Sequence, residues 1–447
     1  MDNKIGIRKW LSFLLAGFVG QIAWAIENNY LNLFVYHTSP TAAVSTFIPL
    51  MTALSAVTAT ITTLFMGALS DRLGKRKLFI SLGYLIWGIS IILFAFLDPT
   101  SKVTFIAGNN AAFLAGSMIV VADCIMTFFG STANDAAFNA FVTDNTSEEN
   151  RGKVESALSV LPMVAMILMT VLGSALVPDK DSSWTVFFAI FGGLTTVAGI
   201  ALLFLLPKDT LKPNKEEPYV KNIFYGFRPS VIKRNPMLYI VLIGFGVFNI
   251  AIQTFFPYFI VYIQNVLGLV ELNFILTIGI VLVVACIITV IFGLFMDKIG
   301  KNKIIIPSIS VAAVGALLFF FAKDMAFVII AGIVLMSGYL VSTAVFGAKI
   351  RDYTPKEETG LFQGIRMIFM VLIPMVTGPY IGEALMQINK QTYTDPEYGI
   401  TSTQPNQFIF LGAMAMFILS LIPVIILLRK EKQNVVVNEE QPRDTAE

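Results

Sequence analysis

The stretch Gly67–Lys77, GALSDRLGKRK, carries five charged side chains within seven residues and lies between two long apolar runs. The same pattern returns 226 residues later in Gly293–Lys303, GLFMDKIGKNK, so both stretches read G-x-x-x-D-[RK]-x-G-K-x-K. A second pair of matching stretches begins at Asp144 and at Asp352, 208 residues apart. Such internal repetition indicates that the chain consists of two related halves.

The composition around these stretches is that of a membrane protein. Hydrophobic residues make up 56% of the 447 residues and charged residues 13%, and the mean hydropathy is +0.76. Only helices and closed barrels satisfy their backbone in lipid, and a helix needs about 20 apolar residues to cross it. The apolar runs therefore predict twelve spanning helices, at 10–36, 43–69, 78–97, 113–141, 154–177, 184–206, 237–264, 271–296, 304–322, 326–350, 361–387 and 407–428.

The predicted fold is all-α, with twelve transmembrane helices in two pseudo-symmetric bundles of six. An N-terminal bundle over 1–206 and a C-terminal bundle over 237–430 are joined by a charged, cytoplasmic linker over 207–236. Apolar residues recur in the linker at helical spacing, which predicts a helix on the membrane surface. They are Val220, Ile223, Phe224, Phe227 and Val231. The polar composition of 431–447 predicts a disordered tail.

The basic residues predict the orientation, because loops rich in Lys and Arg stay on the cytoplasmic side. Of the 31 Lys and Arg residues, 26 fall on the side of the N-terminus, in the termini, in the loops or, for Lys349, at the adjoining end of a predicted span. Four fall in the opposite loops, and Arg366 lies inside a predicted span. We therefore expect a multi-pass protein of the cell membrane with both termini in the cytoplasm.

Two six-helix halves with this loop resemble the major facilitator superfamily, whose signature between helices two and three is G-x-x-x-D-R-x-G-R-K. The resemblance covers nearly the whole chain and implies a transporter in which the loop aspartate ties the loop to the neighbouring half. It makes Asp71, Arg72 and, in the second copy, Asp297 candidate residues of a conformational latch. Alternatively, Asp71 caps a turn and the basic residues fix only the topology, which is our expectation for 75–77.

Arg366 lies well inside a predicted span, the eleventh. We assign it to the latch as a candidate partner of Asp71. It could instead contact a helix C-terminus, or extend its charged end to the membrane surface.

A narrower resemblance lies in 134–151, at the end of the fourth span. The segment resembles the glycoside-pentoside-hexuronide:cation symporters and the sucrose-transporter-like group, and Asp135 falls on the aspartate that serves cation and sugar binding there. Ala137 stands where those proteins have proline and Asn139 where they have an aromatic residue. The acidic pair of their helix two is absent from 45–69. The resemblance therefore implies a cation-coupled sugar transporter and favours a proton over sodium.

The first span carries polar residues where lipid disfavours them. Gln21, Trp24, Asn28 and Asn32 follow at steps of three, four and four and share one helix face, with Glu27 next to it. Carboxylate, amides and an indole suit a sugar, which offers hydroxyls and an apolar ring face. The same amides could instead join helices to one another.

Two further spans carry candidate residues. In span four, Asp123 and Asp135 lie on different faces, and we assign both to cation coupling, with Asp135 preferred. Asp123 could instead pair with another helix or be neutral. In span seven, Asn249 and Gln253 are candidate solute ligands or packing polar residues.

The sequence lacks the motifs that are typical of several other classes of function. Cys124 and Cys286 lie in separate spans without metal-ligand spacing, and the single histidine, His37, lies in a loop. We therefore expect no metal site and no cofactor. No phosphate-binding loop or catalytic triad pattern occurs, so we expect neither an ATP-driven pump nor an enzyme. The basic loops alternate with spans, which suits lipid phosphates and not nucleic acid.

The sequence thus predicts a secondary active transporter for a sugar or related polyhydroxylated solute, with symport driven by protons. An exporter of drugs or amphiphiles is an alternative, and the polar face of the first span argues against it. A membrane sensor that binds a solute without moving it is another, and the two intact loop repeats argue against that.

Overall fold

The computed structural model describes residues 5–39, 47–106, 108, 110–176, 184–209, 225–355, 358–394 and 401–440. Within these residues twelve helices are long and apolar enough to cross a membrane, which confirms the predicted twelve-helix fold. We name them α1 to α12. They are Ile7–Val35, Leu50–Leu73, Arg76–Phe96, Ala111–Asp144, Arg151–Met169, Trp184–Leu205, Pro236–Gln264, Leu272–Ile299, Lys301–Phe321, Met325–Tyr353, Thr359–Met386 and Phe408–Gln433.

Local sequence sets several of the helix ends. α2 ends at Leu73 and is followed by Gly74, whose φ of 62° is left-handed and therefore suits glycine. α8 ends at Ile299 and is followed by Gly300, with a φ of 95°. α7 begins at Pro236, a position where the missing backbone N–H has no cost.

Four of the helices contain a π-helical segment. These segments are Ile26–Tyr30 in α1, Ser131–Phe138 in α4, Tyr262–Val266 in α7 and Ile368–Leu372 in α11. Wide turns of this kind weaken the regular hydrogen bonding of a helix and occur frequently at functional sites. Glu27 lies in the first segment and Asp135 in the second.

The chain forms two compact units that do not follow the two halves completely. The first unit consists of 1–150, 160–228 and 354–368, and the second of 151–159, 229–353 and 369–447. The first turns of α11 thus pack with the N-terminal half, and the first turns of α5 pack with the C-terminal half.

Small residues bring helices together inside each unit. In the first unit, a Cβ on Gly199 of α6 would lie 2.4 Å from the backbone nitrogen of Leu85 in α3. In the second unit, a Cβ on Gly338 of α10 would lie 2.3 Å from the backbone nitrogen of Ala312 in α9. Glycine is required at both contacts, because the obstacle is backbone.

The structure differs from the prediction in two places outside the spans. A short antiparallel hairpin, Thr392–Thr394 with Thr401–Thr403, lies between α11 and α12. The last helix continues to Glu440, so 431–440 are helical where we predicted disorder, and 441–447 lie outside the described residues.

Most of the predicted linker helix falls outside the described residues, which resume at 225. A 3₁₀ turn, Tyr225–Phe227, and a short helix, Pro229–Arg234, follow. In these two elements Phe227 is exposed and Val231 is buried.

Candidate functional site

The polar face of α1 is present in the first unit, although Glu27 is not part of it. Gln21, Trp24 and Asn32 are partly exposed and Asn28 is exposed, whereas Glu27 is buried. The amide of Asn28 donates to the carbonyl of Trp24 over 2.8 Å, and that of Asn32 donates to the carbonyl of Asn28 over 3.0 Å. The face therefore presents the exposed Asn28 and the partly exposed Gln21 and Trp24, whereas Oδ1 of Asn32 is buried and has no hydrogen-bond partner among the described residues.

Glu27 points into the bundle, toward α2 and α4. Its Oε1 accepts hydrogen bonds from the hydroxyls of Ser55 and of Thr127, the latter over 3.1 Å. The two hydroxyl oxygens are themselves 3.1 Å apart. Its second oxygen, Oε2, is buried and has no hydrogen-bond partner among the described residues.

Asp123 is fully buried in α4, one turn before Thr127. Neither of its carboxylate oxygens has a hydrogen-bond partner in the described part of the chain. Asp123 and Glu27 act on each other electrostatically. Asp135 also acts electrostatically on Glu27, so the three carboxylates lie in one region of the first unit.

Asp135 lies in the π-helical segment of α4 and is partly exposed. The hydroxyl of Ser131 donates to its Oδ2 over 2.9 Å. Arg366 of α11 attracts Asp135 electrostatically, and the same guanidinium donates to Oε1 of Gln363 over 3.2 Å. The structure therefore associates Arg366 electrostatically with Asp135, and the pairing of Arg366 with Asp71 stays a prediction.

Two tryptophans, Trp24 of α1 and Trp87 of α3, pack against each other in the first unit. The rings of Trp24 and Trp87 have centroids 4.9 Å apart and are inclined by 57°. Gly130 of α4 lies against both, since a Cβ there would be 2.7 Å from the ring of Trp87. The hydroxyl of Tyr84, also in α3, donates to the carbonyl of Ala16 over 2.6 Å. Trp24 is the partly exposed member of this aromatic group.

The repeated loop of the first unit is a buried charge network. Arg76 donates hydrogen bonds to Asp71 and Ser70, and its Nε donates to Asp144 over 3.1 Å. The backbone N–H of Leu361 donates to Asp71 over 2.8 Å. Asp71 thus sits at the N-terminus of α11, where the exposed N–H groups and the helix dipole favour an anion.

Arg76 and not Arg72 is the main partner of Asp71. Arg76 is 1% exposed, whereas we predicted that it only fixes topology. The prediction is wrong because α3 begins at this residue, so its side chain turns inward. Arg72 lies in the last turn of α2 and is partly exposed. At the same contact, a Cβ on Gly67 would lie 2.3 Å from the carbonyl oxygen of Gly360.

The second copy of the loop makes the corresponding contact in the second unit. Asp297 accepts hydrogen bonds from the backbone N–H groups of Gly152 and Lys153 over 3.0 and 3.1 Å. Gly152 and Lys153 lie in the first turn of α5, as Leu361 lies in the first turn of α11. Lys301 lies 3.9 Å from Asp297 and donates to Asp352 over 2.7 Å. Both motif aspartates therefore cap a helix N-terminus.

The two candidates in α7 belong to the second unit. Asn249 and Gln253 are partly exposed. The amide nitrogen of Asn249 is buried without a hydrogen-bond partner among the described residues. Gln253 packs against α11, where a Cβ on Gly378 would lie 2.4 Å from the Cβ of Gln253.

His37 pairs with Asp98 at one end of the first unit. The ring Nε2 lies 3.4 Å from Asp98 Oδ2, and Thr100 donates to Oδ1 through its N–H and its hydroxyl over 2.9 and 2.7 Å. Burial raises the pKa of Asp98, but hydrogen bonds from His37 and Thr100 outweigh this effect, so the pKa lies below its ordinary value.

Comparison with known protein families decides the identity of this fold. A family model described as Major Facilitator Superfamily matches residues 10–346 and again residues 280–446. The chain belongs to the Major Facilitator Superfamily. This confirms the predicted family, and it makes the protein a multi-pass membrane transporter. A search of curated proteins finds no match.

Solved structures of similar fold include transporters of several kinds. The proton:xylose symporter XylE bound to 6-bromo-6-deoxy-D-glucose is 14% identical with a TM-score of 0.69, over 95% of this chain and 94% of that chain. The human organic anion transporter MFSD10 (TETRAN) is 14% identical with a TM-score of 0.69, over 94% and 100%. A bacterial homologue of the iron transporter ferroportin is 13% identical with a TM-score of 0.66, over 95% and 99%. At such identities the likeness shows the fold alone.

Sequence reasoning missed several residues of this superfamily member. Ser55 is one of many hydroxyl residues in apolar spans, so nothing in the sequence marks it as the partner of Glu27. The buried ion pair between Arg351 and Glu155 in the second unit was also missed. A signal existed there, since both charges lie within helices that reach into the membrane.

Proposed function

We propose that this transporter moves a sugar or a related polyhydroxylated solute by cation-coupled symport, with a proton as the coupling ion. The observation that carries the proposal is the polar face of α1, where the partly exposed Trp24 shares a helix face with amide residues. An aromatic face suits the apolar side of a sugar ring, and amide oxygens suit its hydroxyls.

Within this proposal, Trp24, Gln21, Asn28 and Asn32 contact the solute. Glu27 is buried and already accepts two hydroxyl hydrogen bonds, so it lies behind that face and not on it. Asn249 and Gln253 are further candidate solute ligands in the second unit.

Asp135 is our candidate for the coupling carboxylate. It is partly exposed, lies in an irregular helix segment and has the Arg366 guanidinium as an electrostatic partner. A carboxyl group beside a cationic side chain can either hold a proton or release it and pair with the cation. Such a group is therefore suited to proton coupling. In the proposed topology both termini are cytoplasmic and the protein lies in the cell membrane.

The test is transport by the purified protein in proteoliposomes. A panel of labelled mono- and oligosaccharides is offered under an inward proton gradient, under a sodium gradient and without a gradient. We expect one or more sugars to accumulate with the proton gradient and to exchange without it. Counterflow identifies a transporter, since a sensor would bind a sugar without exchanging it. If organic anions accumulate and no sugar does, the proposed substrate class is wrong.

Variants separate the two roles. Asp135→Asn should abolish gradient-driven accumulation and retain exchange, because it removes the proton site and preserves shape. Trp24→Ala should weaken both accumulation and exchange by roughly tenfold or more, as expected when a ring that stacks on the solute is lost. Asp324→Asn is a matched control, because Asp324 is exposed in the loop before α10. Unchanged accumulation by Asp135→Asn would refute the coupling assignment.

A further inference from the structure

Five exposed basic side chains flank a contact between two helices of the second unit. The amide of Asn302, in the first turn of α9, donates to Oε2 of Glu431, near the end of α12, over 2.6 Å. Close to these two partners along the chain, the exposed cations are Lys298, Lys303, Arg429, Lys430 and Lys432. We call these five residues the basic surface. It combines the end of α8, the start of α9 and the end of α12.

The acidic side chains of this region already have other partners. Glu431 accepts a second hydrogen bond from the ammonium group of the buried Lys349 over 2.8 Å. Asp297 accepts two backbone N–H groups in the first turn of α5, and Asp352 pairs with two other cations. Among the described residues, no carboxylate forms an ion pair with a member of the basic surface. The surface therefore carries a positive charge that this part of the chain does not balance.

The first unit uses its basic side chains differently at the end of α6. This helix ends at Leu205, where the carbonyl groups lack partners within the helix. Arg8 donates to the carbonyl of Leu205 over 2.7 Å, and Lys77 donates to that of Leu206 over 3.2 Å. The last helix of the second unit continues as far as Glu440, so its carbonyl groups near the basic surface bond within the helix. The cations there have no helix end to cap and stay exposed.

An apolar strip is exposed beside the basic surface. Phe295 on α8 is 49% exposed, and Ile422 and Ile426 on α12 are 56% and 44% exposed. Phe295 lies about one helical turn before Lys298, and Ile426 lies about one turn before Lys430. Each cation therefore shares a helix face with an apolar side chain that lies further into the apolar part of the span. A ligand that contacts both has an apolar chain and an anionic head.

We propose that the basic surface binds the headgroup of an anionic phospholipid, whose acyl chains lie along the apolar strip. Clusters of about four to eight Lys and Arg residues directly beside a transmembrane helix attract anionic lipids. A free phosphate ion has the charge without the chain, so it leaves the strip in contact with other lipids. Phosphatidylcholine has the chains without the net charge. An anionic phospholipid matches both parts of the surface.

A lipid at this surface acts on the second copy of the repeated loop. Its phosphate attracts the cations at the α8–α9 loop and those at the end of α12, which lie on the two sides of the hydrogen bond between Asn302 and Glu431. The phosphate also relieves the repulsion among these cations. We therefore expect the lipid to stabilise this contact and with it the second unit. Lipid binding itself does not rest on the proposed sugar function.

The test measures lipid binding without any solute, on the purified full-length protein in detergent. Thermal unfolding is followed by tryptophan fluorescence after addition of phosphatidylglycerol, of phosphatidylcholine with the same chains, or of glycerol phosphate as the free head. Native mass spectrometry gives the number of bound lipids and their affinity. We expect a saturable rise of the apparent melting temperature with phosphatidylglycerol alone. The rise should shrink between about 0.05 and 0.5 M NaCl, because salt screens exposed charges.

Two variants with the same loss of charge locate the surface. The surface variant carries Lys298→Gln, Lys303→Gln, Arg429→Gln and Lys430→Gln. It should bind phosphatidylglycerol about fivefold more weakly for each cation removed. The control variant removes four exposed lysines elsewhere and carries Lys75→Gln, Lys208→Gln, Lys323→Gln and Lys390→Gln. It should respond to the lipid as the unchanged protein does. The lipid and salt series on the unchanged protein keep the test decisive if a variant fails to fold.

Three outcomes overturn the proposal. Equal effects of phosphatidylglycerol and phosphatidylcholine would show that the protein does not select an anionic head. The same rise with glycerol phosphate would show a site for a free phosphate group and not for a lipid. Equal weakening in the surface variant and the control variant would show that the overall charge, and not this surface, attracts the lipid. Because no sugar is present, none of these outcomes bears on the transport assay.

Discussion

In the first copy of the repeated loop Arg76 is buried and pairs with Asp71, whereas in the second copy Asn302 occupies the equivalent position and is exposed. There the basic residue closest to the aspartate is Lys301, one position earlier in the motif. Lys75, the counterpart of Lys301, is exposed. The same eleven-residue pattern therefore uses different side chains to hold its aspartate.

The backbone at the loop glycine accounts for this difference. Gly74 has φ 62° and ψ 30°, and α3 begins two residues later, at Arg76. Gly300 has φ 95° and ψ 127°, and α9 begins directly after it, at Lys301. In both copies the first residue of the new helix turns toward the aspartate. The start of the helix, and not the motif position, selects the partner.

The two networks also differ in the number of cations that serve each carboxylate. In the first, the single guanidinium of Arg76 serves both Asp71 and Asp144. In the second, Asp352 has two cations, Lys301 at 2.7 Å and Arg151 at 2.9 Å. Loss of one cation should therefore be far more damaging in the first copy than in the second.

The largest expected effect is that of Arg76→Gln. It leaves the buried Asp71 and the partly exposed Asp144 without their common cation, and breaking a buried pair in this way costs about 3 to 5 kcal/mol. Lys301→Gln is the matched variant and should cost about 1 kcal/mol or less, because Asp352 retains Arg151 and Asp297 retains two backbone hydrogen bonds. The measurement is the apparent melting temperature of each purified variant. Equal losses in the two variants would contradict the comparison.

The second prediction concerns transport and not stability. Asp71→Asn should reduce the transport rate by roughly tenfold while the protein still inserts, since the free energy that couples two sites of a protein is typically about 1 to 3 kcal/mol. Asp297→Asn should reduce it less, because Asp297 is the more exposed of the two and its nearest cation is 3.9 Å away. Uptake in proteoliposomes at matched protein density is the measurement. A wild-type rate in Asp71→Asn would mean that the loop charges set topology alone.

The fold could be predicted from the sequence because hydrophobic length and a repeat at a fixed offset are global signals. Twelve runs long enough to cross lipid allow few other architectures. The sequence could not predict that Arg76 is the partner of Asp71. Which basic side chain turns toward Asp71 depends on the backbone angles at Gly74, and the spacing of charged residues in the motif does not reveal those angles.

The polar face of α1 could be predicted only in part. Regular helical spacing correctly groups Trp24 and Asn28 on one side. The π-helical segment Ile26–Tyr30 changes the angular spacing there, and Glu27 turns into the bundle toward Ser55. Helical-wheel reasoning assumes a regular helix and cannot anticipate such a turn.

The repeats differ at their other end as well. Asp98 and Asp324 are equivalent under the same offset of 226 residues. Asp98 is buried, pairs with His37 and receives two hydrogen bonds from Thr100. Asp324 is exposed and accepts only the backbone N–H of Phe327 among its described hydrogen bonds. The first repeat again carries the buried carboxylate.

The smallest expected effect therefore compares Asp98→Asn with Asp324→Asn as a function of pH. The pKa of Asp98 is lowered in the folded protein, so its carboxylate contributes stability above the unfolded-state pKa of about 3.9. That contribution is lost as the pH falls through the lower folded-state pKa. At pH 7, Asp98→Asn should be less stable than the unchanged protein by about 1 kcal/mol. At pH 3 the difference should shrink, while Asp324→Asn should match the unchanged protein at both values. Apparent melting temperatures at the two pH values are the measurement, and a difference for Asp98→Asn that grows on acidification would show that the charge of Asp98 is not what stabilises this end of the repeat.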